Sequence, residues 1–250
     1  MIKRYFIELT YLGTHYHGWQ IQPNAITVQE KLNSVLKMLF RTPIMVTGCG
    51  RTDTGVHAKQ FFAHIDLDMD SLSFPQKQLI YKLNSILPFD IAIRKITEVN
   101  KEAHARFDAT SRTYEYHLGM NKNPFHNDLY YHCPYQKINF DLMNEAAQIL
   151  FEFNDFECFS KVNTDVATFN CKIKKAEWLK SEESWIFTIQ ADRFLRNMVR
   201  AIVGTLIEIG RGNMSLTEFR KVIESKNRSN AGWSVPGKGL FLSQITYPYL

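Results

Sequence analysis

Residues 50–58 (GRTDTGVHA) combine side chains that could do chemistry with glycines that shape a tight loop. Gly50 and Gly55 let the backbone turn sharply or approach a ligand closely. Arg51 and Asp53 are two residues apart, so in an extended stretch their side chains face the same way. An ionised carboxylate held beside a guanidinium could act as a nucleophile or as a base. The spacing also fits an ordinary turn closed by an Asp–Arg salt bridge, and spacing alone leaves both interpretations open.

A second segment interleaves arginines with aromatic residues. Arg106 and Arg112 are followed by Tyr114 and Tyr116, and Arg106 itself lies within residues 104–107 (HARF). Guanidinium groups next to aromatic rings suit phosphate contacts combined with base stacking. An ordinary strand with both tyrosines on one face has the same pattern, so this segment alone does not decide between the two.

A third segment places one arginine inside an apolar helical pattern. Arg200 is surrounded in the sequence by Val199, Ile202 and Val203. An arginine there is either exposed or buried beside an acidic residue. If it is buried it needs a carboxylate, and Asp53 is a candidate partner.

Familiar cofactor and metal templates are absent. There is no phosphate-binding G-x-x-x-x-G-K-[ST] pattern, and the H-E-x-x-H pattern is absent as well. Residues 48–50 (GCG) begin like a dinucleotide-binding loop, but Asp53 stands where the third glycine belongs. The four cysteines are far apart and form no C-x-x-C pair, which predicts isolated reduced thiols. We therefore expect no metal site.

The composition is that of a globular protein with a mild preference for polyanions. The 250 residues include 30 Lys or Arg and 25 Asp or Glu, which gives a net charge of +5. No uninterrupted apolar run is long enough to span a membrane, and the first residues lack the apolar core of a signal peptide. These features predict a cytoplasmic protein with no membrane partner.

Hydrophobic periodicity predicts strands and helices in mixed order. The expected strands are residues 3–11, 44–46, 61–65, 91–99, 112–118, 173–179, 185–191 and 239–247. The expected helices are 28–39, 75–86, 139–150, 194–209 and 216–225. Residues 27–30 and 215–218 are predicted capping boxes, Asn139 a predicted N-cap, and Gly210 a predicted C-terminal cap. The order predicts an α+β fold of two similar α/β halves, 1–105 and 106–250, with mixed, mainly antiparallel sheets. We expect the active site in a central cleft between the halves.

Taken together, the motifs resemble one family, the A-type tRNA pseudouridine synthases. The matching pieces occur in the family's order from near residue 5 to near residue 248, so the ordered set is highly specific. They are YHGWQ at 16–20, TVQE at 27–30, GRTD at 50–53, GVHA at 55–58, HARF at 104–107, FL at 194–195, MVR at 198–200 and GLFL at 239–242.

The resemblance implies the isomerisation of uridine in tRNA to pseudouridine. The N1–C1′ bond breaks, the uracil turns, and C5 bonds to C1′. By the motif matches, Asp53 is the expected catalytic carboxylate, and the resemblance leaves its chemical route open. Arg200 is its expected cationic partner, and Arg51 is expected to help hold the flipped-out nucleotide. Tyr114 is expected to stack on the target base, with Leu240 on the other side of the base.

The resemblance also implies a substrate and an assembly. The family modifies uridines 38, 39 and 40 in the anticodon arm of tRNA, as a homodimer and without metal or organic cofactor. The residues expected to bind RNA are His104, Arg106, Phe107, Arg112 and Lys161, with Arg193 and Arg196 as further basic candidates. Two alternatives are a non-catalytic RNA-binding or tRNA-folding protein on the same scaffold, and a synthase that acts on another RNA.

Overall fold

The computed structural model describes residues 1–69, 74–162 and 166–250. Two compact units form, Met1–Thr110 with Leu242–Leu250, and Ser111–Phe241. This division differs from the predicted one at 105/106. The Thr110 amide donates to the Thr246 carbonyl oxygen, and the Tyr247 hydroxyl donates to the Ala105 carbonyl oxygen. The C-terminal segment therefore belongs with the first unit, through hydrogen bonds that are remote in sequence.

Strands and helices alternate irregularly along the described residues. The strands are β1 (Lys3–Tyr11), β2 (Thr47–Gly48), β3 (His57–Leu67), β4 (Ile91–Val99), β5 (Ser111–Gly119), β6 (Tyr131–His132), β7 (Ile173–Lys180), β8 (Ser184–Ala191) and β9 (Leu240–Thr246). The helices are α1 (Val28–Phe40), α2 (Leu79–Ile86), α3 (Phe140–Ile149), α4 (Met198–Gly210) and α5 (Leu216–Glu224).

The first unit is a mainly antiparallel sheet in the order β4-β1-β3-β9, with β2 paired to β3. β1 is antiparallel to both β3 and β4, and its Ile7 and Leu9 are fully buried. Helix α2 packs on β4 and also touches α1, whose Leu32 is fully buried. Burying each such side chain contributes about 1.5–3 kcal/mol, so the alternation along β1 is enough to place one face of the sheet in the core.

The second unit is built around the sheet β5-β8-β7, in which both pairings are antiparallel. The short β6 runs parallel to β5, so this sheet is mixed. Helix α3 packs on β7 and on α4, and α4 is buried along most of its length. The capping box of α5 forms as predicted, since Ser215 and Glu218 each bond the other's backbone amide. The predicted α+β class with mixed, mainly antiparallel sheets is confirmed.

Two predicted elements differ from the structure, one because it does not form and one because it begins later. The strand expected at 44–46 does not form, because the Gln29 side chain donates to the Val46 carbonyl oxygen (2.7 Å) and β2 starts at Thr47. The helix expected from residue 194 begins at Met198, after Asn197 adopts a φ of 69°. Asn tolerates that left-handed conformation, which a continuing helix cannot contain.

The ends of two further helices also differ from the prediction. Residues 76–78 of the helix predicted at 75–86 form a 3₁₀ turn that precedes α2. Gly210, predicted as a cap, is the last residue of α4, where an added Cβ would lie 2.6 Å from the Met143 sulfur. Across the described ranges, no helix is both long enough and apolar enough to cross a membrane.

Candidate active site

Asp53 lies in the loop between β2 and β3, at the start of a tight turn. The Val56 amide donates to the Asp53 carbonyl oxygen (3.1 Å), and Gly55 has a φ of 75°. Only glycine adopts that conformation without strain. Asp53 is partly buried and Arg51 is exposed. The turn therefore holds a carboxylate at the border between protein and solvent.

The segment from Gly13 to Trp19 packs against this loop and is hydrogen-bonded to it. The Gly55 amide donates to the Tyr16 carbonyl oxygen (3.2 Å), and the Trp19 amide contacts the Thr52 carbonyl oxygen at 3.4 Å. Gly18 has a φ of 84°, and an added Cβ would lie 2.1 Å from the Thr52 carbonyl oxygen. The glycine of the YHGWQ motif is thus required for the two backbones to approach each other.

Four buried side chains make hydrogen bonds in and around this loop. The Tyr11 and Thr52 hydroxyls lie 2.9 Å apart, and both residues are buried. The Gly13 amide donates to Nδ1 of the buried His57 (2.9 Å), so that nitrogen carries no proton. The Tyr16 hydroxyl donates to Asp90 Oδ1 (2.6 Å), and burial is the main reason that the Tyr16 pKa is raised. The backbone on both sides of Asp53 is therefore held by contacts with β1 and the Gly13–Trp19 segment.

An aromatic layer lies under this loop. The Trp19 ring stacks on Phe61 with 4.1 Å between ring centroids, and the Tyr11 ring packs against both. All three residues are buried. Such a layer excludes water from below the loop and resists its displacement.

Tyr114 lies on β5 in the second unit and is partly buried. Its ring meets the edge of Phe194 at 5.2 Å between centroids, with an interplanar angle of 89°. Edge-to-face contacts of this kind restrict ring rotation. The Phe194 contact therefore holds the orientation of the Tyr114 ring, which stacking on a base would require.

Arg200 lies in the first turn of α4 and is partly buried. Its Nε donates to the Val235 carbonyl oxygen (2.7 Å), and the Val235 amide donates back to the Arg200 carbonyl oxygen (3.2 Å). The segment after α5 is further tied to α4 because the Gly232 amide donates to Thr205 Oγ1 (2.9 Å). These contacts set the plane of the guanidinium.

Leu240, predicted to face the base, is only 5 % exposed. It follows a 3₁₀ turn at Gly237–Gly239 and begins β9. Its side chain is therefore almost entirely packed within the protein.

The predicted RNA-binding residues fall into two groups. In the first unit, His104, Arg106 and Phe107 share one turn, in which Arg106 and Phe107 are exposed. In the second unit, Arg112 Nη1 donates to the Asp192 carbonyl oxygen (3.0 Å), and the exposed Lys161 bonds through its amide to the Arg196 carbonyl oxygen (3.0 Å). Each group is local to its own unit.

The four cysteines are buried and free of disulfides. Burial raises the pKa of Cys158 and of Cys171 to about 12, so both are poor nucleophiles near neutral pH. In the parts of the chain that the structure describes, no group of three His, Cys, Asp or Glu residues could hold a metal ion.

Several residues that shape the site received no role from the sequence. Gly18, Trp19 and Phe194 stand in the quoted motifs, so their presence was visible while their contacts were not. Tyr11 showed only the alternation of a strand. Val235 holds Arg200 through its main chain, which leaves no side-chain signal at all.

Comparison with known proteins agrees with the motifs. A family described as tRNA pseudouridine synthase matches residues 146–248. A protein named tRNA pseudouridine synthase A from Parabacteroides distasonis is 53 % identical over 249 residues, which cover 99 % of this chain and 97 % of the relative. The protein of the same name from Bacteroides fragilis is 52 % identical over 248 residues, covering 99 % and 97 %. That from Clostridium acetobutylicum is 36 % identical over 247 residues, covering 98 % and 100 %. With such identity across nearly its whole length, the chain belongs to the tRNA pseudouridine synthase family.

Proposed function

We propose that this protein isomerises uridines 38, 39 and 40 of the tRNA anticodon arm to pseudouridine, with Asp53 as the catalytic carboxylate. Membership of the family supports the reaction and the tRNA substrate. The observation that carries the choice of Asp53 is its position in a loop supported on both sides. Thr52 is bonded to Tyr11, and Gly55 is bonded to the Tyr16 carbonyl oxygen.

A supported carboxylate suits this reaction because the reacting ring must turn within the site. The N1–C1′ bond breaks and C5 bonds to C1′. The hydrogen on C5 leaves as a proton, and N1 takes up a proton in its place. Asp53 acts at the sugar or the base while the uracil is detached, so its own position must not drift. A displacement of about 1 Å at a reacting group can lower a rate by about 100-fold.

The remaining roles are distributed over both units. Arg200 supplies a positive charge to the reaction, and its guanidinium plane is set by Val235. Tyr114 and Leu240 flank the target base, and Arg51 holds the flipped-out nucleotide. We propose that each of these residues acts in the same reaction.

Binding of the tRNA arm relies on basic side chains in the two local groups. Arg106, Arg112 and Lys161 are proposed to contact phosphates, which makes affinity salt-dependent. A homodimer in the cytoplasm is proposed as the working form, and sedimentation of the purified protein with and without tRNA tests the dimer.

Tritium release is the direct test. Unmodified tRNA carrying tritium at uridine C5 is incubated with the protein, and release to water is measured as the C5–C1′ bond forms. We expect release that maps to the anticodon arm and that Asp53→Asn abolishes while affinity for tRNA stays near the original. The matched control is Asp141→Asn, an equivalent change of an exposed carboxylate, which should leave release unchanged.

Other outcomes would point to the alternatives. Tight tRNA binding without release from the unaltered protein indicates a non-catalytic RNA-binding protein. Release only from another RNA indicates a synthase with a different substrate. Persistent release from Asp53→Asn removes Asp53 from the catalytic role.

A further inference from the structure

We propose that Phe107 is a stacking platform for an unpaired base of the RNA, and that His104 is the positioning residue that holds this platform in place. The inference rests on the proposed tRNA substrate and changes the role expected of His104. The sequence pattern placed His104 among the residues that touch RNA. In the structure, the His104 ring instead accepts hydrogen bonds from its own turn.

The turn at residues 103–108 closes on the His104 side chain. Its Nδ1 accepts hydrogen bonds from the amides of Arg106 (3.1 Å) and Phe107 (3.3 Å). The His104 amide donates to Asp108 Oδ2 (2.8 Å), and the Asp108 amide donates to the His104 carbonyl oxygen (3.1 Å). Four hydrogen bonds within six residues leave the backbone of Phe107 little freedom.

The turn is also tied to the first unit's sheet and C-terminus. The Ala105 amide donates to His64 Nδ1 (3.1 Å), and the Ala105 carbonyl oxygen accepts from the Tyr247 hydroxyl. The Tyr249 hydroxyl donates to Asp108 Oδ2 (2.7 Å). The turn therefore rests on β3 and on the chain's last residues.

This support presents Phe107 to solvent. The Phe107 side chain is 73 % exposed, and its ring lies 4.3 Å from the His104 ring with an interplanar angle of 33°. The Arg106 guanidinium lies 5.5 Å from the centre of the Phe107 ring. An exposed aromatic ring beside a guanidinium is the arrangement that proteins use to stack a base and contact its phosphate.

The charge beside the ring favours RNA over a protein partner. Arg106 places a positive charge beside the Phe107 ring, where it can contact the phosphate of a bound RNA. A ring that is already ordered loses little side-chain freedom on binding, so stacking contributes more fully to affinity. An unpaired base of the tRNA arm meets both requirements.

Both histidines must be uncharged for these contacts to exist, because each accepts an amide hydrogen at Nδ1. Burial is the largest cause that lowers the pKa of His64, to about 4, and that of His104. Arg4 and the other histidine add to the lowering at His64, while Asp66 and Asp108 oppose it. At His104, Arg4 and Arg106 lower the pKa and Asp108 opposes them. The turn is thus intact near neutral pH.

The platform is tested by anisotropy titration of a labelled anticodon stem-loop RNA at several salt concentrations. Phe107→Ala should weaken binding by roughly 5- to 150-fold, the range for losing one stacked base. The salt slope should stay unchanged, and Phe107→Trp should keep the affinity. Arg106→Gln should instead reduce the salt slope by about one phosphate contact.

The matched control is Phe125→Ala, which removes another exposed phenylalanine (87 % exposed) from the second unit. We expect it to leave affinity unchanged. The stacking proposal would be overturned if the Phe107 and Phe125 variants lost the same affinity for RNA, or if neither lost any. A Phe107→Ala protein with altered oligomeric mass and unaltered affinity would show a subunit contact instead.

The positioning role of His104 is tested by a pair of substitutions. Asn can also accept amide hydrogens in a turn, so His104→Asn should keep most of the affinity, while His104→Ala should lose as much as Phe107→Ala. The double variant of His104→Ala with Phe107→Ala should lose no more than either single variant. Additive losses would show that His104 touches RNA itself. If His104→Ala does not fold, the comparison of His104→Asn with and without Phe107→Ala decides the same question.

Turnover separates this inference from the proposed function. At saturating tRNA, Phe107→Ala should release tritium at the original kcat with a raised KM. Normal release with unchanged affinity would overturn the platform alone. Absence of release from the unaltered protein, together with an affinity that depends on Phe107, would overturn the isomerisation and leave the platform.

Discussion

The hydroxyl of Tyr11 lies 2.9 Å from the hydroxyl of Thr52, the residue that directly precedes Asp53. Tyr11 is the last residue of β1, so this bond ties the proposed catalytic loop to a central strand of the first unit's sheet. Both side chains are buried, so little of either is exposed to water. The position of Asp53 is therefore coupled to the core.

Removing either hydroxyl should reduce both stability and rate. Tyr11→Phe leaves the buried Thr52 hydroxyl without this contact, which should lower the free energy of unfolding by about 1–3 kcal/mol. The kcat for tritium release should fall about 10- to 100-fold because Asp53 is less well held, with KM for tRNA unchanged. Urea unfolding and steady-state kinetics measure the two effects.

Thr52 supplies the matched variants for that experiment. Thr52→Ser keeps a hydroxyl and should keep most of the rate, whereas Thr52→Val should behave like Tyr11→Phe. Combining Tyr11→Phe with Thr52→Val should add little to either change, since one contact is lost in each case. Fully additive losses would mean that the two hydroxyls act independently.

Replacing Gly18 should disrupt the same loop from the other side. Gly18→Ala places a Cβ 2.1 Å from the Thr52 carbonyl oxygen at a φ of 84°. Steric conflict and backbone strain together should cost about 2–5 kcal/mol and abolish turnover. Gly212→Ala is the control, because Gly212 has a φ of 79° with nothing near its Cβ position. It should cost only about 1–2 kcal/mol and leave kcat unchanged. Similar kinetic losses in both would refute a specific role for the Gly18 approach.

Arg200 should be required for rate rather than for folding. Arg200→Met removes the positive charge proposed to support the reaction and should lower kcat by about 100- to 1,000-fold. Arg200→Lys keeps the charge and loses the planar group that Val235 orients, so it should retain part of the rate. Arg211→Met, just beyond the end of α4, serves as the control and should leave kcat unaltered. A fully active Arg200→Met protein would exclude Arg200 from the proposed role.

Acid should destabilise the first unit through His64. Burial lowers its folded-state pKa from 6.5 to about 4, so the unfolded chain binds more protons between these values. The contribution of His64 to stability is complete above about pH 6.5 and is lost as the pH falls towards 4. Urea unfolding at pH 7.5, 5.5 and 4.5 should follow this trend, and His64→Asn should flatten it while still accepting the Ala105 amide. A pH dependence identical in both proteins would show that other groups control it.

Much of the secondary structure could be predicted from the sequence, because it depends on local patterns. β1 and β4 begin and end at the predicted residues. Asn139 caps α3 and Ser215 caps α5 as expected, because a cap needs only the next three residues. The candidate loop around Asp53 was found in the same way, from residue types and close spacing.

The contacts that hold this loop in place could be seen only in the tertiary structure. Tyr11 and Thr52 are 41 residues apart, and no local pattern relates their hydroxyls. The start of α4 was misjudged because the φ of Asn197 is set by its surroundings and not by helix propensity. The motif predicts His104 as an RNA-binding residue, but no local pattern shows that its Nδ1 accepts hydrogen bonds from two amides of its own turn. Sequence determined the elements and the reactive residues because these follow from local periodicity and chemistry. The tertiary structure decided what holds each reactive residue, because hydrogen bonds between distant parts of the chain exist only after folding.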